Sequence, residues 1–208
     1  MQTDSRAEQL VQAAEDGDVA LVTRLLDAGV PVDAHGAERR TALDLAVRHG
    51  RGEVARLLVA AGADPEQPAG EWGELNILTL AAAFSRTDIA RVLLDAGAHP
   101  DTRCRIGFPL LMASSSAVPG PCREIVDLLL DRGADIDLRL RDLTSLEWAV
   151  WFGLADMVRH LLHRSAEPSA TAMKLAHERI RRFPETRRDC ERVIEALRAA
   201  GAPERMGP

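Results

Sequence analysis

The chain has 208 residues, of which 46% are hydrophobic, 28% are charged and 3% are aromatic. Alanine and leucine dominate the hydrophobic residues and tyrosine is absent, so the composition favours closely packed helices over sheets and gives no reason to expect disorder. The formal net charge of −6 disfavours a general nucleic-acid binder, and no apolar run approaches the roughly 20 residues of a membrane-spanning helix.

Residue usage predicts the compartment and the kind of source organism. Cys104, Cys122 and Cys190 stand far apart and are odd in number, which suits a reducing compartment better than a disulfide framework. The first residues lack the apolar segment of a secretory signal. Lys174 is the single lysine among 26 basic residues, a bias typical of GC-rich genomes. We therefore expect a cytoplasmic bacterial protein.

A repeated segment organises the whole chain. Six times, a leucine stands four residues before a glycine or serine that closes an apolar i, i+4 pattern. The closing residues are Gly29, Gly62, Gly97, Gly133, Ser165 and Gly201, which stand 33, 35, 36, 32 and 36 residues apart. The pattern is typical of a helix with one buried face, and glycine supplies the left-handed residue that stops it. Each repeat thus contains a helix that ends at this residue.

A second recurring block lies upstream of each closing residue and predicts a first helix. It covers residues 8–13, 41–46, 76–81, 108–113, 144–149 and 171–176. Polar Gln12 replaces the usual apolar residue in the first repeat, and Arg198 replaces the second leucine in the last. Such polar substitutions are typical of the terminal repeats of a stacked array, because no neighbour covers them. A single pair of short helices cannot bury its apolar stripe, so the repeats must stack.

The period and the two blocks resemble the ankyrin repeat. The resemblance covers about residues 7–203 and implies an all-α solenoid of stacked helix-turn-helix units with short finger loops between them. We expect one domain over residues 1–208, with repeats at about 7–40, 41–75, 76–107, 108–143, 144–170 and 171–203. The histidine of the family's opening motif is replaced by Asp44, Thr79, Leu111, Glu147 and Lys174.

Three segments depart from the regular repeat. The fourth repeat carries a turn-rich insertion at 114–121, and the sixth carries extra residues that include Phe183 within a basic run. The connection between Gly62 and Asn76 is unusually long and contains Trp72. We expect these segments to differ most from the regular fold.

The resemblance implies a module that binds a partner protein on the concave face formed by the fingers and the exposed edges of the first helices. Aromatic and arginine side chains dominate the energetics of protein interfaces. At the expected finger and first-helix positions, the candidate partner-binding residues are Arg48, His49, Trp72, Phe84, Arg103, Arg105, Arg139, Arg141, Trp151 and Phe152. The alternatives are that Trp151 packs against the last repeat and that Trp72 fastens its long finger to the second repeat. Trp148 takes an apolar position of the block and is expected in the core.

No catalytic motif or metal-ligand spacing occurs in the sequence, so we expect a protein that is not an enzyme and needs no cofactor or metal. We also expect the protein to be monomeric. The expected consequence of binding is regulation or inhibition of the partner. The basic run from Arg179 to Arg188 contains one aromatic, and Glu178, Glu185, Asp189 and Glu191 in and beside it dilute its charge, so nucleic-acid binding is not expected. The alternative function is a small-molecule binder or an unrecognised enzyme, with a pocket formed near 114–121 beside Phe84, Met112 and Trp151.

Overall fold

The computed structural model describes residues 2–70, 72–115 and 122–203. Packing contacts divide the chain into two compact halves, residues 1–109 and 110–208, which are described in turn as the N-terminal and C-terminal halves. The expectation of one domain with the repeat boundaries given above stays a prediction.

The N-terminal half consists of paired helices joined by finger loops. Its helices are α1 (Gln2–Asp16), α2 (Val19–Asp27), α3 (Ala42–Arg48), α4 (Gly52–Ala60), α5 (Ile77–Ala83) and α6 (Thr87–Asp95). A 3-10 turn at Ala37–Arg39 lies in one finger, and strand β1 (Pro68–Ala69) pairs antiparallel with β2 (Leu75–Asn76) in the next. The first helices α1, α3 and α5 pack in one row, and the second helices α2, α4 and α6 pack in another.

The core of this half lies where the two rows meet. Leu43, Leu58, Ile77, Ile89 and Leu93 have no more than 1% of their surface exposed. Each full burial of such a side chain contributes about 1.5–3 kcal/mol. These residues belong to the apolar stripes that the sequence predicts, and each stripe is covered by a neighbouring repeat.

The C-terminal half repeats the arrangement with longer helices at its end. Its elements are α7 (Pro109–Ser115), which begins at the boundary, α8 (Cys122–Asp131), β3 (Arg139–Leu140), β4 (Leu143–Thr144), α9 (Ser145–Phe152), α10 (Ala155–His163), α11 (Ala170–Arg182) and α12 (Arg187–Ala199). A 3-10 turn at Pro184–Thr186 joins α11 to α12. Helix α11 packs on α9, and α12 packs on α10.

The second helices stop at the six predicted residues, all of which adopt left-handed backbone conformations. The φ angles are 79° at Gly29, 94° at Gly62, 99° at Gly97, 88° at Gly133, 71° at Ser165 and 83° at Gly201. Side chains with a Cβ rarely adopt this region, so Ser165 carries strain that the glycines avoid. The predicted helix stops are confirmed.

Polar side chains start the first helices. Thr41, Asn76, Thr144 and Ser169 each accept a hydrogen bond from a backbone N–H of the first turn, which satisfies one of the donors that a helix leaves unpaired. Two of these caps also reach the following finger: the Thr41 hydroxyl donates to Gln67 (2.6 Å), and the Asn76 amide donates to the Thr102 hydroxyl (3.0 Å). The caps thereby tie neighbouring repeats together. Within residues 2–70, 72–115 and 122–203, no helix is long and apolar enough to cross a bilayer.

Candidate protein-binding surface

Buried carboxylates stand where the family has its histidine, and one of them holds a finger of the N-terminal half. Asp44 is 1% exposed, and its two oxygens accept from the Gly70 backbone N–H and from Arg48 Nε, each at 2.6 Å. Arg40 adds a more distant ion pair at 3.6 Å. The acid therefore accepts a hydrogen bond from the finger backbone and fixes the Arg48 side chain.

The candidate residues Arg48, His49 and Phe84 lie at the carboxyl ends of the first helices α3 and α5. The Arg48 guanidinium lies 6.0 Å from the centre of the Phe84 ring, within cation–π range. The ring is 44% exposed. His49 Nε2 lies 3.4 Å from the carboxylate of Glu15 on α1. The structure thus brings Arg48 and Phe84 together, while His49 contacts the preceding repeat.

Trp72 lies in the long finger between β1 and β2 and is 73% exposed. Its backbone N–H donates to the Glu74 carboxylate (3.1 Å). The pKa of Glu74 lies below its ordinary value, chiefly because the carboxylate accepts a hydrogen bond from its own backbone N–H. Burial raises this pKa and so opposes the shift. The Trp72 N–H and the positive charges of Arg48 and Arg40 lower it further. A shallow cleft of about 270 Å³ beside the ring is lined by His35, Arg39, Pro68, Gly70, Trp72 and Gly73.

Arg103 and Arg105 lie in the finger that follows α6, and both are exposed. This finger closes with a hydrogen bond from the Cys104 backbone N–H to the Gly107 carbonyl (2.9 Å). Ile106, next to Arg105, is 49% exposed. Ile106 was not among the predicted residues, although the sequence carries a signal for it, an apolar residue between an arginine and a glycine in a predicted turn.

Arg139 and Arg141 belong to the β3–β4 hairpin of the C-terminal half. Arg139 donates to the Asp142 carbonyl (2.7 Å) and lies 3.6 Å from the buried Glu147 carboxylate, so it fastens its own hairpin. Arg141 and Asp142 form the tip with φ angles of 51° and 63°, as a two-residue hairpin turn requires. The Arg141 side chain is exposed.

Trp151 and Phe152 end helix α9 and differ in exposure. Phe152 is 44% exposed, and its ring stacks on Trp148 with a centroid distance of 5.9 Å. Trp151 is half-buried, with the Arg182 guanidinium 5.8 Å from its ring centre. Trp148 is half-buried as well, and its indole N–H donates to the Leu140 carbonyl (3.4 Å). The sequence pattern predicted this residue in the core, but the hydrogen bond holds its ring towards the hairpin. Arg182 belongs to the basic run that the sequence shows, but its contact with Trp151 was not predicted, because 31 positions separate the two residues in the chain.

The large exposed apolar residues occupy two kinds of position in the repeat, the fingers and the carboxyl ends of the first helices. Among the described residues they are Trp72, Phe84, Ile106, Phe152 and Phe183. Trp72 and Ile106 lie in fingers, whereas Phe84, Phe152 and Phe183 lie at the carboxyl ends of α5, α9 and α11. Within this part of the chain, none lies on a second helix.

The alternative pocket near 114–121 falls mainly on residues 116–121, which lie outside the described residues. Ser114 is buried and donates to the Leu110 carbonyl of its own helix (2.7 Å). In the ranges that the structure covers, no group of three His, Cys, Asp or Glu side chains is arranged to hold a metal ion.

Comparison with known proteins identifies the fold. A family model described as ankyrin repeats (3 copies) matches residues 2–69. The human ASB11 ankyrin repeat domain matches with a TM-score of 0.77 and 22% identity, over 95% of this chain and 85% of that one. The ankyrin repeat domain of Bcl-3, described as a unique member of the IkappaB protein family, matches with a TM-score of 0.78 and 29% identity, over 94% and 86%. No curated protein sequence matches the chain.

These matches agree with the helix pairs, finger loops and left-handed helix stops described above. The predicted all-α ankyrin-repeat solenoid is confirmed. Both the family model and the solved structures support the same assignment. The chain therefore has the ankyrin-repeat fold, and its residues 2–69 match the family model of ankyrin repeats.

Proposed function

We propose that this chain binds a partner protein through its finger loops and the carboxyl ends of its first helices, and that it carries out no chemistry itself. Ankyrin-repeat domains are generally protein–protein interaction modules. We further propose that the protein is monomeric, that it lies in the cytoplasm of a bacterium, and that it regulates or inhibits the partner that it binds.

One observation carries the choice of surface. Among the residues that the structure describes, the five large exposed apolar residues all lie in fingers or at first-helix ends. Each exposed aromatic ring costs free energy in water that a partner recovers by covering it. Random exposure would place such residues on second helices as well, so their restriction to one side of the repeat supports recognition there.

Several candidate arginines have a structural task besides any binding task. Arg48 is paired with Asp44, and Arg139 is fastened to its own hairpin. Their side chains are therefore held in place before a partner arrives, which lowers the entropy lost on binding. Arg141 and Phe152 are exposed in the C-terminal half, and Trp72 and Phe84 are exposed in the N-terminal half.

Site-specific photocrosslinking in cell lysate tests this surface. Benzoylphenylalanine is placed at Phe84 or Phe152, and, as matched controls in the same repeats, at the exposed second-helix positions Arg91 or Arg159. We expect a partner protein to crosslink at positions 84 and 152, with the yield at 91 and 159 lower by about tenfold. Equal or higher yields from the second-helix positions would overturn the proposed surface.

A further inference from the structure

The C-terminal half carries a second kind of surface, where arginines and aromatic rings alternate. It consists of Trp151, Phe152, Arg179, Arg182 and Phe183, and is called the basic–aromatic surface below. The Arg182 guanidinium lies 5.8 Å from the Trp151 ring centre and 5.9 Å from that of Phe183, and Arg179 lies 5.4 Å from that of Phe183. Two cations are thus interleaved with two rings.

The contacts with the rings hold the arginines in place but do not neutralise their positive charge. Each guanidinium lies over a ring, an arrangement that leaves its positive charge in place. Arg179 donates a hydrogen bond to the Trp151 carbonyl. Within residues 122–203, neither Arg179 nor Arg182 forms an ion pair with a carboxylate, whereas nearby Arg192 pairs with Asp156 at 3.2 Å and with Asp189 at 3.8 Å. Among the described residues, Arg182 therefore presents an oriented cation without a carboxylate partner.

The surroundings add charge of the same sign. Arg181, Arg187 and Arg188 are exposed beside this surface, in a protein whose formal net charge is −6. These arginines attract a negatively charged partner, while Glu178, Glu185, Asp189 and Glu191 offset part of their charge. Phe152 and Phe183 are 44% and 37% exposed, so the same partner must cover apolar area as well.

We propose that the basic–aromatic surface binds an acidic segment of a partner protein, in which glutamate or aspartate side chains alternate with apolar ones. The carboxylates pair bidentately with Arg182 and its neighbours, and the apolar residues cover Phe152 and Phe183. The inference rests on the proposed function, because it names the chemistry of the partner that one part of the proposed surface receives.

A nucleic acid fits this surface less well than an acidic peptide. Bases bind proteins by stacking on open aromatic faces, and here arginines face Trp151 and Phe183 while Trp148 covers one face of Phe152. Glu178 directly precedes the basic run and Glu185 lies within it, and both repel a continuous phosphate backbone. Separately placed carboxylates can avoid both acids.

Fluorescence anisotropy with the full chain tests the inference. The probe is a labelled peptide of about twelve residues that repeats Glu-Glu-Leu, and the matched probes are a Gln-Gln-Leu peptide and a single-stranded oligothymidylate of similar length. We expect the Glu-Glu-Leu peptide to bind at least about tenfold more tightly than either matched probe, and added salt to weaken it.

Three variants locate the binding. Arg182→Gln should weaken binding of the Glu-Glu-Leu peptide by about tenfold or more. Arg182→Lys should give an intermediate loss of affinity, because lysine keeps the charge but lacks the planar guanidinium group. Arg123→Gln removes the same charge from an exposed position on α8 and should change the affinity by less than about twofold. Circular dichroism melting establishes that each variant is folded.

Several results would overturn the inference. They are failure of the Glu-Glu-Leu peptide to bind, equal binding of the Gln-Gln-Leu peptide, tighter binding of the oligothymidylate, or an equal loss in Arg123→Gln. If partner crosslinking at Phe152 persists under any of these results, the acidic-segment inference fails while the proposed function stands.

Discussion

The two halves of the molecule close their first helices with the same contact, but they take the arginine from different elements. In the N-terminal half, Arg51 and Arg86 precede second helices and donate to the carbonyls of Glu15 (2.8 Å) and Arg48 (3.0 Å) in the preceding repeats. In the C-terminal half, Arg179 lies inside the first helix α11 and donates to the Trp151 carbonyl.

The accepting carbonyl always has the same position. It lies two residues before a left-handed glycine, namely Gly17, Gly50 or Gly153, with φ angles of 84°, 67° and 73°. The guanidinium group or its stem lies against that glycine, where a Cβ would come within 3.0 Å of it. The contact is therefore determined by the unpaired carbonyl and the open glycine face at the helix end, and any repeat that can bring an arginine there satisfies it.

The difference has a consequence for the surface of the C-terminal half. Helix α11 has 13 residues where α3 and α5 have seven, so it continues beyond the arginine that closes α9. The additional turn carries Arg182 and is followed by Phe183. The same lengthening that moves the closing arginine into α11 thus creates the basic–aromatic surface.

The largest expected effect comes from adding a side chain to a glycine that an arginine covers. Gly50→Ala should lower the free energy of unfolding by about 2 kcal/mol, because it adds backbone strain and displaces Arg86 from the Arg48 carbonyl. Gly97→Ala is the matched control: its φ is also positive, but nothing lies within 4 Å of the added Cβ, so only about 1 kcal/mol of strain is expected. Urea unfolding measures both, and equal losses would contradict the role given to Arg86.

A smaller effect tests whether the two sources of arginine are equivalent. Arg86→Ala and Arg179→Ala should each cost about 1 kcal/mol, since each removes one charged hydrogen bond to a backbone carbonyl. Adding Gly50→Ala to Arg86→Ala should cost less than the sum of the single variants, because the side chain that the methyl group displaces is already gone. Additive losses, measured by the same urea unfolding, would show that the glycine and the arginine act independently.

The smallest effect distinguishes the hairpins of the two halves. The β1–β2 finger is held by the Glu74 carboxylate as well as by Asp44, which accepts from the Gly70 backbone N–H. The folded pKa of Glu74 lies below its ordinary value. The β3–β4 hairpin is fastened by Arg139 and the Asp142 carbonyl. The unfolded chain binds the proton more tightly, so the contribution of Glu74 is present above about pH 4.5 and is lost as the pH falls through the folded pKa.

The pH dependence of the thermal midpoint, followed from about pH 3 to pH 6, checks this assignment. Glu74→Gln should flatten the wild-type decline at low pH, and Glu167→Gln, which removes an exposed carboxylate elsewhere, should leave it in place. Identical profiles for wild type and Glu74→Gln would rule out the carboxylate as the group that holds this finger.

Much of the candidate surface was predictable in position but not in detail. The repeat register placed Phe84 and Phe152 at first-helix ends and Trp72 in a finger, and all three are exposed there. It could not show that Arg48 and Arg139 are held by Asp44 and Glu147, or that Arg182 covers Trp151. Whether these residues bind a partner stays a prediction.

The sequence by itself determined the repeat length, the pairs of helices and their stops. These features depend on apolar spacing within one helix and on the steric cost of a Cβ at positive φ, and both act over a few neighbouring residues. Only the tertiary structure decided which arginine closes which helix and which rings it covers. Those contacts join Arg51 to Glu15 and Arg179 to Trp151, across 36 and 28 positions of the chain, and they depend on how adjacent repeats stack.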